Sequence, residues 1–89
     1  MSAPLSIVGE LTIYRAAELK DALLAEAALP GGRLDLGGVT DIDTAGLQLL
    51  LLARREAAAC GHVLPLQPVS AAVREGCEQL GLADLLLGH

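Results

Sequence analysis

Alternation is the feature that most restricts the folds open to this chain. Three stretches of strand character, PLSIVGELTI, RLDLGGV and HVLPLQP, are each followed within a few residues by a stretch whose apolar positions recur at helical spacing. Strand and helix in turn, with short connections, favour right-handed crossovers and a mostly parallel sheet covered by helices. Eighty-nine residues suffice for one domain and leave no room for a second core. The expected architecture is a single small α/β domain with a mostly parallel four-stranded sheet and alternating helices.

The local signals agree with that order. Leu5, Ile7, Leu11 and Ile13 fall on alternate positions, and Gly9 among them predicts a kink or bulge in the first strand. Ala16, Leu19, Leu23 and Ala27 share one helical face in YRAAELKDALLAEAAL, with most charges on the other, and Pro30, Gly31 and Gly32 end that helix. RLDLGGV, apolar and short between two helical stretches, predicts a buried central strand. A second helix opens at Thr44 and runs to about Cys60, stopped by Gly61, with Arg54 and Arg55 in its later turns, where positive charge favours the helix dipole. His62 is expected to begin the third strand, which Pro65 confines to an edge. Ser70 is the expected cap of a third helix that Gly81 ends, and ADLLLGH forms a tail, strand or half turn.

Composition excludes several functional classes. The apolar fraction is 53%, yet there is one Tyr and neither Phe nor Trp, so the core depends on aliphatic packing. A domain of this size buries only about 60% of the surface its unfolded chain exposes, which favours association with a partner. A net charge of −5, with six Lys and Arg spread along the chain, disfavours nucleic acid and anionic lipid, since phosphate binding needs clustered cations. The longest apolar run, Leu49 to Ala53, is far shorter than the roughly 20 residues of a membrane span, so direct membrane insertion is not expected. MSAPLSIV lacks a basic segment followed by an apolar stretch, and a cytoplasmic location is expected. Cys60 and Cys77 lack the spacing of a redox or zinc motif, and His62 and His89 complete no ligand set. Both thiols are expected to be small buried residues, with a disulfide or a metal as the alternative. Neither a metal nor a cofactor is predicted.

What chemistry there is gathers in VTDIDTAGLQLLLLA, Val39 to Ala53. Asp41 and Asp43 flank Ile42, and Thr44 opens the helix. Asp43 or Thr44 suits the N-cap, because its side-chain oxygen can accept from amides of the first turn that have no helical partner. A hydroxyl at such a turn is also exposed to modification. A phosphoryl group on Thr44 would sit beside the partly positive helix end, held by the free amides there, and would add about −1.5 to −2 charges next to Asp41 and Asp43. At 100° per residue, Gln48, Arg55 and Glu56 define a polar arc that also contains Leu52, with Leu49 at its margin. Leu52 is therefore expected at the surface, and a partner face including Gln48, Leu49 and Leu52 follows.

GELTIYRAAELKDAL, LDLGGVTDIDTAGLQLLLLA and VSAAVREGCEQLGL together resemble the STAS domain of bacterial anti-sigma factor antagonists and their relatives, over nearly the whole chain. The most specific element is the D-[ST]-x-G-L turn, present as Asp43, Thr44, Ala45, Gly46 and Leu47. The resemblance implies that Thr44 is phosphorylated by an anti-sigma kinase, or another signalling kinase, that binds the unmodified form. It implies a partner surface drawn from Asp41, Asp43 and Thr44, then Ala45, Gly46 and Gln48, then Leu49 and Leu52. Relatives of other kinds supply two alternatives: a constitutive subunit on the ATPase of a lipid-transport complex, and a chemotaxis-linked protein whose partner is a signalling histidine kinase. The family's additional strand before GELT is expected to be shortened or absent, since nine residues precede Glu10, and Thr stands where Ser is more usual.

An enzyme is not expected. Nucleophilic catalysis by Thr44 needs a base within hydrogen-bond reach. His62, the one internal imidazole, follows the far end of a helix about 24 Å long. LPGGRLDLGG has neither GxxxxGK[ST] nor GxGxxG spacing, so ATP would come from a partner kinase. The predicted function is a protein-binding regulatory module with no catalytic residues.

Overall fold

In the computed structural model, which describes residues 3–87, three strands and four helices follow one another as β1 (Leu5–Leu11), α1 (Ile13–Ala28), β2 (Leu34–Ile42), α2 (Thr44–Ala59), β3 (Leu66–Val69), α3 (Ala71–Gln79) and α4 (Ala83–Leu87). The strands lie in the order β1-β2-β3 and both pairings are parallel. The alternation is as expected. The strand number is not: among the described residues the sheet has three strands rather than four. ADLLL closes into α4, whose Leu86 is fully buried, because a short apolar tail can bury its leucine on a helix as well as on a strand.

Other boundaries also differ from the sequence reading. β2 is the central strand, but it continues through the glycine pair to Ile42, so Asp41 lies on a strand. β3 is an edge strand, yet it begins only at Leu66, and His62 belongs to the turn before it, its amide donating to the Ala57 carbonyl at 2.8 Å. His89 lies outside the described residues. Of the thiols, Cys77 is buried, and burial pushes its pKa up, whereas Cys60 caps the C-terminus of α2 and is exposed.

The core is aliphatic, as the composition requires. Ile7 and Leu11 of β1, Leu34 and Leu36 of β2, and Leu47, Leu50 and Ala53 of α2 form its centre, and α1 contributes Leu23 and Ala27. Ala16 and Leu19 pack at its margin. With β1, β2 and β3 side by side in chain order and all parallel, crossovers of the one preferred hand put α1 and α2 on the same face of the sheet, and the two helices pack against each other. α3 packs on β2 and α4 on α3.

Gly9, at φ +90°, lies at a register shift between β1 and β2, the predicted bulge. Arg15, in the first turn of α1, reaches back to it: Nη1 donates to the carbonyls of Val8 at 2.7 Å and Glu10 at 2.9 Å, while Nε pairs with Glu18 at 2.9 Å. A side chain on Gly9 would press on that guanidinium. The bulge and the arginine thus fix the entry into α1 together.

Candidate functional site

Parallel strands end at the same edge of a sheet, so the helices that follow them begin side by side there. β1 ends at Leu11 and β2 at Ile42, and the first turns of α1 and α2 start beyond them. Asp43 stands between the two turns. Its Oδ1 accepts from the Gly46 amide at 3.0 Å and makes it the N-cap of α2, while its Oδ2 accepts from the Ile13 amide at 3.0 Å. Thr12, the N-cap residue of α1, makes no side-chain cap bond; its hydroxyl donates to Glu10 at 3.2 Å. One carboxylate therefore serves two helix ends. The Ile13 bond, and next the Gly46 bond, hold the Asp43 carboxyl below the ordinary aspartate range, with burial opposing them.

Thr44 is the first residue of α2 and is exposed. Its expected surroundings need correction in one respect. One of the amides that were to receive a phosphoryl group, that of Gly46, is not free, because it already donates to Asp43. Asp41, exposed on β2, lies in register with Glu10 on β1. Glu10, which sequence reasoning missed, thus adds to a surface where an anion at residue 44 would meet negative charge. Only strand register brings it there, so no local signal marked it.

Gly46 and Leu49 are placed differently from the rest of the expected partner face. Gly46 is buried, and a Cβ there would lie 2.0 Å from the Leu11 carbonyl oxygen and 3.0 Å from Ile42. Its absence of a side chain lets α2 settle on the end of β1. Leu49 is only 5% exposed and belongs to the core, with one edge at the floor of a surface hollow. Leu52 is at the surface as expected, at 38% exposure, and Gln48 is exposed beside it.

Gln48 and Leu52 are shared by two adjoining hollows along α2. One, of about 400 Å³, lies between α1 and α2 and is walled by Ile13, Ala16, Ala17 and Lys20 with Ala45. The other, of about 700 Å³, lies between α2 and α4 and is walled by Leu51, Arg54, Arg55, Ala58 and Leu85. The two lie on different flanks of α2, and the exposed Gln48 and Leu52 form the ridge between them. Ile13 in the first and Leu85 in the second are 62% and 61% exposed. Their part was not legible in the sequence, since each hollow needs a second helix beside α2. Arg54 helps to build the second, donating to the Leu86 carbonyl at 2.6 Å and so tying α4 to α2.

His62 follows the C-terminus of α2, at the opposite end of that helix from Thr44. The described residues contain no group of three or more His, Cys, Asp and Glu side chains arranged to hold a metal, and no helix among them is long and apolar enough to cross a membrane.

Comparison with known proteins adds one finding. The family described as "Mlab, STAS domain" matches residues 2–88. A search of curated proteins returns no match.

Proposed function

The chain belongs to the STAS domain family, and from that premise we propose that it is a cytoplasmic, non-enzymatic regulatory module that docks on a kinase-type protein and is switched by phosphorylation of Thr44. The observation that carries this reading is the position of Thr44, exposed at the first residue of α2 and next in the chain to Ala45, which borders the hollow between α1 and α2. A small domain gains from covering such a hollow, because apolar surface is removed from water. In the switch, the kinase transfers the γ-phosphoryl group of its ATP to the Thr44 hydroxyl oxygen, releasing ADP, and takes up the hydroxyl proton. The new charge lies next to Asp43, at the sheet edge that also carries Asp41 and Glu10, with the Gly46 amide already engaged by Asp43. It acts by repulsion and hydration beside that hollow rather than by ordering the helix end.

A second reading has an observation in its favour. The hollow between α2 and α4 lies away from Thr44, reaching Ala58 and Leu85, so a partner can be held there without any modification. A constitutive subunit on the ATPase of a lipid-transport complex uses the surface in that way.

Affinity capture from the native cell, with mass spectrometry of bound proteins and of residue 44, tests both. If the switch operates, Thr44→Glu releases the partner and Thr44→Ala retains it in the presence of ATP. Equal capture by both variants, with residue 44 unmodified, removes the switch and leaves the constitutive subunit. Undiminished capture by Leu52→Asp, folded by circular dichroism, removes the docking face itself.

A further inference from the structure

We propose that the outer edge of β1 is a strand-pairing surface for a second copy of this chain and that Arg15 holds it closed. The two edges of the sheet are protected differently. β3 has four residues, one of them Pro68, which has no amide to donate. β1 has seven, with neither proline nor lysine among them, and among the described residues it pairs with β2 alone. A strand of that length with a free side is a template for another strand.

Which groups face outward follows from the pairing. The Leu5 amide donates to the Arg33 carbonyl and the Leu11 carbonyl accepts from the Asp43 amide, so the odd positions of β1 turn toward β2. In a parallel pair the N–H and C=O of one residue point the same way, and successive residues alternate. Ser6, Val8 and Glu10 therefore present their peptide groups to the open side. Their side chains are exposed too, that of Val8 by 67%. The Val8 and Glu10 carbonyls are the two that Arg15 Nη1 holds, while Glu18 fixes the same guanidinium through Nε. With both acceptors taken by one charged donor, an incoming strand loses two of its ladder bonds and meets a side chain where its backbone would lie.

The edge fits a copy of itself. Antiparallel pairing about a twofold axis at Val8 sets Val8 against Val8, Ser6 against Glu10 and Leu5 against Leu11. Glu10, the one charged residue of the strand, then faces a hydroxyl, so no like charges meet. Neither Arg15 nor any residue of β1 lines the hollows beside α2, so opening the edge leaves the docking face intact.

The test removes the guanidinium in Arg15→Met, which keeps an apolar stem, and follows the full chain by sedimentation velocity and hydrogen exchange from micromolar to millimolar concentration. In the native chain the Ser6, Val8 and Glu10 amides are expected to exchange freely at every concentration; their protection there refutes closure by Arg15. In Arg15→Met a dimer is expected, with those three amides slowed at least about tenfold at the highest concentration. An arginine that only braces the entry into α1 would give the opposite, faster exchange in β1 and α1 with no dependence on concentration, and that result overturns the proposal. Adding Val8→Lys to Arg15→Met is expected to abolish the dimer by setting like charges together on the twofold axis. A dimer that survives it uses another surface and overturns the proposal as well. Should Arg15→Met fail to fold by circular dichroism, Glu18→Ala, which frees Nε alone, is expected to show the same protection in weaker form, and unslowed amides there refute the edge.

Discussion

Asp43 and Ile13, thirty residues apart, are joined by a 3.0 Å hydrogen bond from the Ile13 amide to Asp43 Oδ2, while Oδ1 of the same carboxylate caps α2 through Gly46. The motif residue next to Thr44 is therefore a structural bridge between α1 and α2, the two helices that wall the smaller hollow. Its place in the D-[ST]-x-G-L turn has an architectural reason in addition to any role toward a partner.

Asp43→Ala should accordingly cost more stability than the loss of an ordinary cap. Ser70, which accepts from Val73 at 3.2 Å at the start of α3, is the internal comparison. Ser70→Ala is expected to lower unfolding stability by about 1 kcal/mol. Asp43→Ala should give the larger shift in urea midpoint, with hydrogen exchange accelerated in the first turns of both α1 and α2. A smaller shift, or exchange confined to α2, would contradict the double cap.

The same carboxylate makes stability depend on acid. Because its folded pKa is lowered relative to the unfolded chain, its contribution is fully present above the unfolded value of about 3.9 and is lost as pH falls through the lower folded value. The urea midpoint should decline below about pH 4 in the native chain. In Asp43→Asn the midpoint should start lower at neutral pH and decline less steeply below pH 4.

Gly46→Ala tests whether packing or propensity governs the start of α2. In a free helix the change favours helix by about 1 kcal/mol. With the new Cβ placed 2.0 Å from the Leu11 carbonyl oxygen, α2 must lift from β1. Destabilisation of about 3 kcal/mol is expected, measured by urea unfolding. A neutral or stabilising result would rule out the close approach.

Two neighbouring leucines should separate core from face. Leu50, fully buried, should lose about 2 to 5 kcal/mol on truncation to Ala. Leu52→Ala, on the exposed ridge between the two hollows, should change stability by no more than about 0.5 kcal/mol while weakening partner capture. Equal stability costs at the two positions would place Leu52 in the core.

What the sequence determined by itself was periodicity and punctuation. Alternate apolar positions in β1, the helical spacing of α1 and α2, the bulge at Gly9, the stops at Gly61 and Gly81 and the cap at Ser70 are all local, set by backbone sterics and by which side-chain oxygens reach nearby amides. The same local rules placed Leu52 at the surface. They could not decide between strand and helix for ADLLL, because a few apolar residues satisfy either period. Nor could they show that Leu49 is covered, that Gly46 touches Leu11, that Glu10 lies in register with Asp41, or that Asp43 also caps α1. Those relations exist only once a parallel sheet brings separate strand ends and helix starts to one edge, where proximity is set by crossover and register rather than by distance along the chain.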